Sequence, residues 1–319
     1  MKPFKLQPAI KDYIWGGTRL SKEFDYYAET DRQAEAWVLS CHPDGDCVIE
    51  NSAFRGRTLR DVLQNEGKEF LGTNAKKFSD FPVLIKLIDA KENLSLQVHP
   101  DDDYARAHEN QNGKTEMWYI IDCEEGASLI FGVKEDMTKE QFKKAVEENT
   151  VLDFCNRVNV KKGDVFFIKA GTLHAIGKGI LLAEVQQSSN VTYRVYDYGR
   201  LQNGKPRELH VEKALDVLNL QKTKETDFSP KETEMLGESK KTLLSSCEVF
   251  TASKLEVKES LTVTADETSF VSLVALDGNG CLCHKDSVLT FYKGESVFLP
   301  AGLGEVEILG DMTVLETRI

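Results

Sequence analysis

Four residues in three separated segments offer this chain a metal site. The first segment, Leu94-Ser95-Leu96-Gln97-Val98-His99-Pro100, reads as a strand. Side chains alternate along a strand, so Ser95, Gln97 and His99 share one face and Leu94, Leu96 and Val98 the other. Taken alone, Gln97-x-His99 is an ordinary half-buried strand with a polar outer face. Glu116 opens the apolar run Glu116-Met117-Trp118-Tyr119-Ile120. A carboxylate there must be paired, ligated or at a rim. His174 follows a glycine turn in Ala170-Gly171-Thr172-Leu173-His174, where a histidine serves structure as readily as ligation. Together Gln97, His99, Glu116 and His174 form a mixed nitrogen and oxygen donor set. Two histidines and a carboxylate suit zinc, and the same set holds Fe(II) or Mn(II).

Cations accompany this set. Arg194 lies in the aromatic strand Thr192-Tyr193-Arg194-Val195-Tyr196, where stacking on a ring is the alternative role. Lys86 interrupts Phe81-Pro82-Val83-Leu84-Ile85-Lys86-Leu87-Ile88. It is costly to bury without a partner, and reads equally as the gatekeeper of an edge strand. Lys114 stands two residues before Glu116. A divalent ion with one carboxylate ligand stays net positive, which favours an anionic guest if such cations lie nearby.

The elements that position these residues are mostly short strands. Expected strands are 34–39, 83–88, 94–99, 116–121, 128–131, 164–168, 180–185 and 192–196, separated by turn-forming residues. Helical patterns are fewer: 58–64, 103–109, 138–148 and 208–218. In the third, Thr138 and Gln141 form a capping-box pattern. Residues 221–241 are polar and charged and read as a linker. Seven further strands follow with almost no helix signal: 253–257, 269–276, 280–284, 288–292, 296–299, 306–309 and 313–316. Such even spacing indicates a β-sandwich or jelly roll. A weak repeat relates Gly163–His174 to Gly294–Glu305, each a glycine turn, an apolar strand and an Ala-Gly turn. Glu305 stands where the first copy has His174, so the second unit is expected to lack the metal site.

Composition narrows the function. A chain of 319 residues with 41% hydrophobic and 29% charged residues is an ordinary globular protein. A net charge of −12 argues against a nucleic-acid surface. No apolar run reaches membrane-span length, and the first residues lack the core of a signal peptide. Seven cysteines without framework spacing fit a reducing cytoplasm. Cys281-Leu282-Cys283-His284 has the look of a metal clip without a partner pair, and is expected to be a strand with small buried cysteines.

The ordered motifs Leu94–Pro100, Gly113-Lys114-Thr115-Glu116-Met117-Trp118, Ala170–Ala175 and Thr192–Arg200 resemble type I phosphomannose isomerases, the last being similar to the shorter bacterial branch. The resemblance begins at Ile14-Trp15-Gly16-Gly17 and Glu35-Ala36-Trp37 and spans most of the chain. It implies a mainly β protein with two cupin units and a few helices in or near the first. The expected division is a catalytic unit over 1–220, a linker over 221–241 and a degenerate cupin over 242–319. It implies one Zn2+ per chain on Gln97, His99, Glu116 and His174, Arg194 as the active-site arginine, and Lys86 and Lys114 near the substrate. The implied reaction is interconversion of mannose 6-phosphate and fructose 6-phosphate, a proton moving between C1 and C2 through an enediol. The base is Lys114, a metal-bound water or another group. Two positions depart from the family: Lys169 replaces a proline in the turn, and Asn190 stands where longer members carry an aspartate implicated in proton handling. No nucleic-acid or membrane partner is expected, and monomer and homodimer are equally compatible. The competing readings are a metal-dependent cupin oxygenase and a non-catalytic sugar-phosphate-binding cupin.

Overall fold

The computed structural model describes residues 1–30, 32–224, 228 and 232–319. The N-terminal part of the chain is a sandwich of two antiparallel sheets. One has six strands in the order Val165–Ile168, Glu116–Cys123, Ile180–Gln187, Val83–Ala90, Glu35–Leu39 and Ala9–Lys11. The other has five, in the order Cys155–Asn159, Ser128–Val133, His174–Ala175, Leu96–Val98 and Tyr193–Tyr196.

Alternation along the six-stranded sheet makes both of its faces apolar. Ile88, Trp118, Ile120, Phe166 and Leu182 turn inward, toward Leu129 and Ile176. Ile85, Leu87, Met117, Ala183 and Val185 turn outward into a second core with Phe250, Phe270 and Phe298. Val83–Ala90 is therefore an interior strand, which removes the edge-gatekeeper role for Lys86. Helices lie where their caps place them. Thr138 Oγ1 accepts from Gln141 N (3.2 Å) and Gln141 Oε1 from Thr138 N (2.8 Å), closing the capping box of Lys139–Glu147. Asp101 caps Asp102–Glu109 through Tyr104 N (2.9 Å).

The C-terminal unit is a ten-stranded sheet in which two long strands, Val271–His284 and Gly304–Arg318, run side by side. Each joins two stretches expected as separate strands. The Ala-Gly turns of the weak repeat recur: Gly171 and Gly302 both adopt positive φ, 85° and 72°. The boundaries drawn from sequence are less clean in the fold. Part of the expected linker lies outside the described residues, and the rest includes the strand Glu232–Leu236, hairpinned to Ser239–Ser246. The N-terminal strand Phe4–Gln7 pairs with Ser296–Leu299 inside the C-terminal sheet. Stacked aromatic rings seal this junction in a chain, Phe81 on Phe270 (5.4 Å), Phe270 on Phe298 (5.0 Å) and Phe298 on Phe4 (6.1 Å).

Phe298 is fully buried at the meeting point of these rings. Phe298→Ala is expected to lower stability by about 3–5 kcal/mol, read as a shift of the urea midpoint. A loss below about 1 kcal/mol would mean that the junction repacks.

Candidate active site

Neighbouring strands bring the predicted residues together by register. His174 pairs with Gln97, and Gln97 with Arg194, across the five-stranded sheet. Glu116 starts its strand in the facing sheet, and the Gly171 turn delivers His174. A Cβ on Gly171 would sit 2.8 Å from Val217 O, so that position needs glycine for both space and φ.

His99, Glu116 and His174 form the one cluster of three or more potential metal ligands among the described residues, and all three are buried. Backbone carbonyls set the tautomers. His99 Nδ1 faces Val191 O at 2.9 Å and His174 Nδ1 faces Thr172 O at 2.8 Å. A carbonyl only accepts, so each Nδ1 carries the hydrogen and each Nε2 presents a lone pair. The two Nε2 atoms lie 3.1 Å apart, and Glu116 oxygens stand 3.6 Å from His99 and 3.4 Å from His174. Apart from the Lys114 ammonium, the buried Glu116 carboxyl has no hydrogen-bond donor among the described residues. Burial holds both imidazoles neutral, well below the usual range for His99 and at about 4 for His174. Burial and then Glu184 push Glu116 upward. Two imidazole lone pairs converging on a buried carboxyl match the donor set that a divalent cation requires.

The half-buried Gln97 lies beside this cluster, its Nε2 3.4 Å from His174 Nε2 and its Oε1 accepting from Ser95 Oγ at 3.3 Å. Lys114 is buried, with Nζ 3.1 Å from both His99 Nε2 and Glu116 Oε2.

A cavity of about 280 Å³ adjoins the cluster through Gln97 and Lys114, which contact His174, His99 and Glu116, and Lys86 and Arg194 also line it. A larger cavity, about 1550 Å³, lies among Arg60, Lys76, Phe78, Arg106 and Glu267 and is lined neither by the cluster nor by Gln97 or Lys114, so its size carries no catalytic argument. Across the six-stranded sheet, Trp37, Lys86, Glu184, Trp118 and Phe166 form one row of register partners. Lys86 Nζ pairs with Glu184 at 2.9 Å and Glu35 at 3.6 Å. Trp118 and Trp37 indoles donate to Glu184 and Glu35, at 2.8 and 2.6 Å. Burial opposes the charge on Glu184, but Lys86 and Lys114 overcome it and hold that carboxyl low.

Arg194 is placed differently: it donates to Ser95 Oγ (3.2 Å) and Glu208 O (2.9 Å), both neutral groups. Burial and then nearby Arg207 lower its pKa. Arg207 also lines the cavity, held by Asp197 at 2.8 and 2.6 Å, and Asp197 is shared with Arg200. One carboxylate thus faces two guanidiniums. Sequence reading missed Glu35, Glu184 and Arg207 as cavity residues. Glu184 interrupts the apolar run 180–185 much as Lys86 interrupts its own, and that was its available signal. Of the two departures, Lys169 is exposed at the turn, and Asn190 lines the cavity and donates to Asp44 Oδ2 at 2.8 Å.

The family description "Phosphomannose isomerase type I, catalytic domain" matches residues 3–147, and "Mannose-6-phosphate isomerase, cupin domain" matches residues 239–319. A mannose-6-phosphate isomerase of Bacillus subtilis is 37% identical over 311 residues, 97% of this chain and 96% of that protein. This chain belongs to the type I phosphomannose isomerase family. The Streptococcus mutans mannose-6-phosphate isomerase is 38% identical over 319 residues, covering 99% of this chain and 98% of its own length. The crystal structure of the Bacillus subtilis enzyme superposes with a TM-score of 0.92 at 34% identity over the full length of both chains. A phosphomannose isomerase from Salmonella typhimurium shares the fold at a TM-score of 0.81, with 16% identity and 99% of each chain covered.

Removing His174 takes one of three converging donors from this family site. His174→Ala is expected to lower bound metal per chain by at least tenfold at matched free metal, read by elemental analysis after dialysis. Unchanged stoichiometry would take His174 out of the ligand set.

Proposed function

We propose that this chain is a metal-dependent aldose–ketose isomerase that interconverts D-mannose 6-phosphate and D-fructose 6-phosphate. The observation that carries this reading is a buried cluster of two neutral imidazoles and a carboxyl, with an arginine on the adjoining cavity that forms no ion pair among the described residues. Family membership favours it over the oxygenase and the non-catalytic binder. Nothing in an oxygenase would call for so cationic a rim.

His99, Glu116 and His174 would hold the ion, and Gln97 would join them through its amide oxygen after a half-turn of the side chain. Two imidazoles with one carboxylate favour zinc, one per chain. When bound, the ion supplies Lewis-acid polarisation of the sugar oxygens. Lys114, buried against the cluster, is the group placed to carry the proton between C1 and C2. Arg194 holds the phosphate and steadies negative charge developing on the sugar. Arg207 supplies the second phosphate contact, because Asp197 fixes its fork without cancelling the charge of both neighbouring arginines. Lys86 was expected to bind phosphate as well. Its pairing with Glu184 and Glu35 recasts it as the group that keeps two buried carboxylates in place beneath the substrate. Leu94, Ile88 and Ile176 line the same cavity and limit water around the reacting carbons.

All seven cysteines are free thiols, which supports the cytoplasmic reading. Among the described residues no helix is long and apolar enough to cross a membrane.

In a coupled assay for fructose 6-phosphate, chelation is expected to abolish turnover and added Zn2+ to restore it. Full activity in metal-free protein would overturn the proposal. Lys114→Met is expected to lower kcat by roughly 10²–10⁴-fold with metal content kept, and an unchanged kcat would move the proton to another group. Arg207→Ala removes a charge-assisted hydrogen bond of about 1.5–3 kcal/mol. It should therefore raise KM roughly 10- to 150-fold while kcat changes little. An equal fall in kcat at constant KM would deny it a binding role.

A further inference from the structure

The C-terminal sheet carries two thiols that the catalytic unit does not use. Cys281 and Cys283 were expected as small buried cysteines, yet both are half-exposed. They share one face of the strand Val271–His284, while Leu282 between them is buried in the opposite core. Their sulfurs lie 4.0 Å apart. The strand is hydrogen-bonded on both sides at this point. Cys281 pairs with Thr290 and Leu309, and Cys283 with Val288 and Glu307. The thiols are thus held on a ladder rather than on a mobile loop.

Strand geometry bears on the fate of such a pair. Residues two apart on a strand place their Cα atoms about 6.6–6.8 Å apart, at the far limit of disulfide geometry. Two thiolates bound to one tetrahedral ion at about 2.3 Å each lie about 3.8 Å apart, so one ion bridges these sulfurs with little movement.

We propose that Cys281 and Cys283 form a second metal site, a bis-thiolate chelate for a soft or borderline ion of the Zn2+, Cd2+ or Cu+ class. It is separate from the His99, Glu116 and His174 cluster. Binding replaces two S–H bonds by two metal–sulfur bonds and releases two protons to solvent. No electron is transferred, so no oxidant is required. Soft ligands select soft ions, whereas the mixed imidazole and carboxylate cluster does not.

The test uses zinc-loaded protein titrated with Cd2+. One equivalent is expected to produce the ultraviolet thiolate-to-metal charge-transfer absorption that only sulfur ligation gives. Exchange of Cd2+ into the histidine and glutamate cluster produces no such band, so failure at either site is read separately. Cys281→Ser and Cys283→Ser are each expected to lose the band and keep isomerase activity, which also verifies that the variants fold. In unsubstituted protein, Cd2+ should protect both thiols from alkylation as judged by peptide mass. Absence of the band, its persistence in both variants, or alkylation unaffected by Cd2+ would overturn the proposal.

Discussion

Two hydrogen bonds from histidine rings to main-chain carbonyls decide what this fold can hold. His99 gives its Nδ1 hydrogen to Val191 O, and His174 gives its own to Thr172 O. Each leaves an Nε2 lone pair aimed at Glu116. The arrangement opposes itself, since lone pairs and a buried carboxyl crowd together. A cation resolves it, and Lys114 offers a partial substitute through its ammonium. The sandwich around the cluster therefore has to be rigid enough to keep like dipoles facing one another, and the interior strand pairings on both sheets provide that rigidity.

Charge is divided across the cavity between the two sheets. On the six-stranded side each buried charge has a counter-charge or an indole donor: Lys86 with Glu184 and Glu35, and the carboxylates with Trp118 and Trp37. On the five-stranded side the balance is uneven. Asp197 serves two arginines, and Arg194 leans on neutral oxygens. A dianionic group is attracted to the second wall, and the neutral sugar hydroxyls are left for the first. Orientation of a substrate with one charged end follows from that asymmetry rather than from net charge, which is negative over the whole chain.

Much of this was legible in the residues. The alternation in Leu94–His99 placed Ser95 and Gln97 on the polar face, and the capping box at Thr138 closed as its spacing indicated. The strands that carry Gln97 and Glu116, Leu96–Val98 and Glu116–Cys123, lie within about two residues of their expected limits, whereas the short strand at His174 was read only as the end of a turn. What escaped is non-local. Lys86 was recognised as costly, but its partners Glu184 and Glu35 come from strands distant in sequence that only the register brings alongside. Arg207 sits in an exposed hairpin region with no periodic signal, and its role depends on Asp197 folding back onto it. Polar composition marked residues 221–241 as a linker, and part of that stretch, Glu232–Leu236, is an exposed strand paired with Ser239–Ser246.

The N-terminal strand has a consequence for how this chain is made. Phe4–Gln7 is synthesised long before its partner Ser296–Leu299. Its inner side chains, Phe4 and Leu6, are covered only once that partner sheet is present. Contacts of such long sequence separation are slow to form and leave apolar surface open to wrong partners. The outer face of the six-stranded sheet closes on the same core, so neither sheet completes its packing without the other.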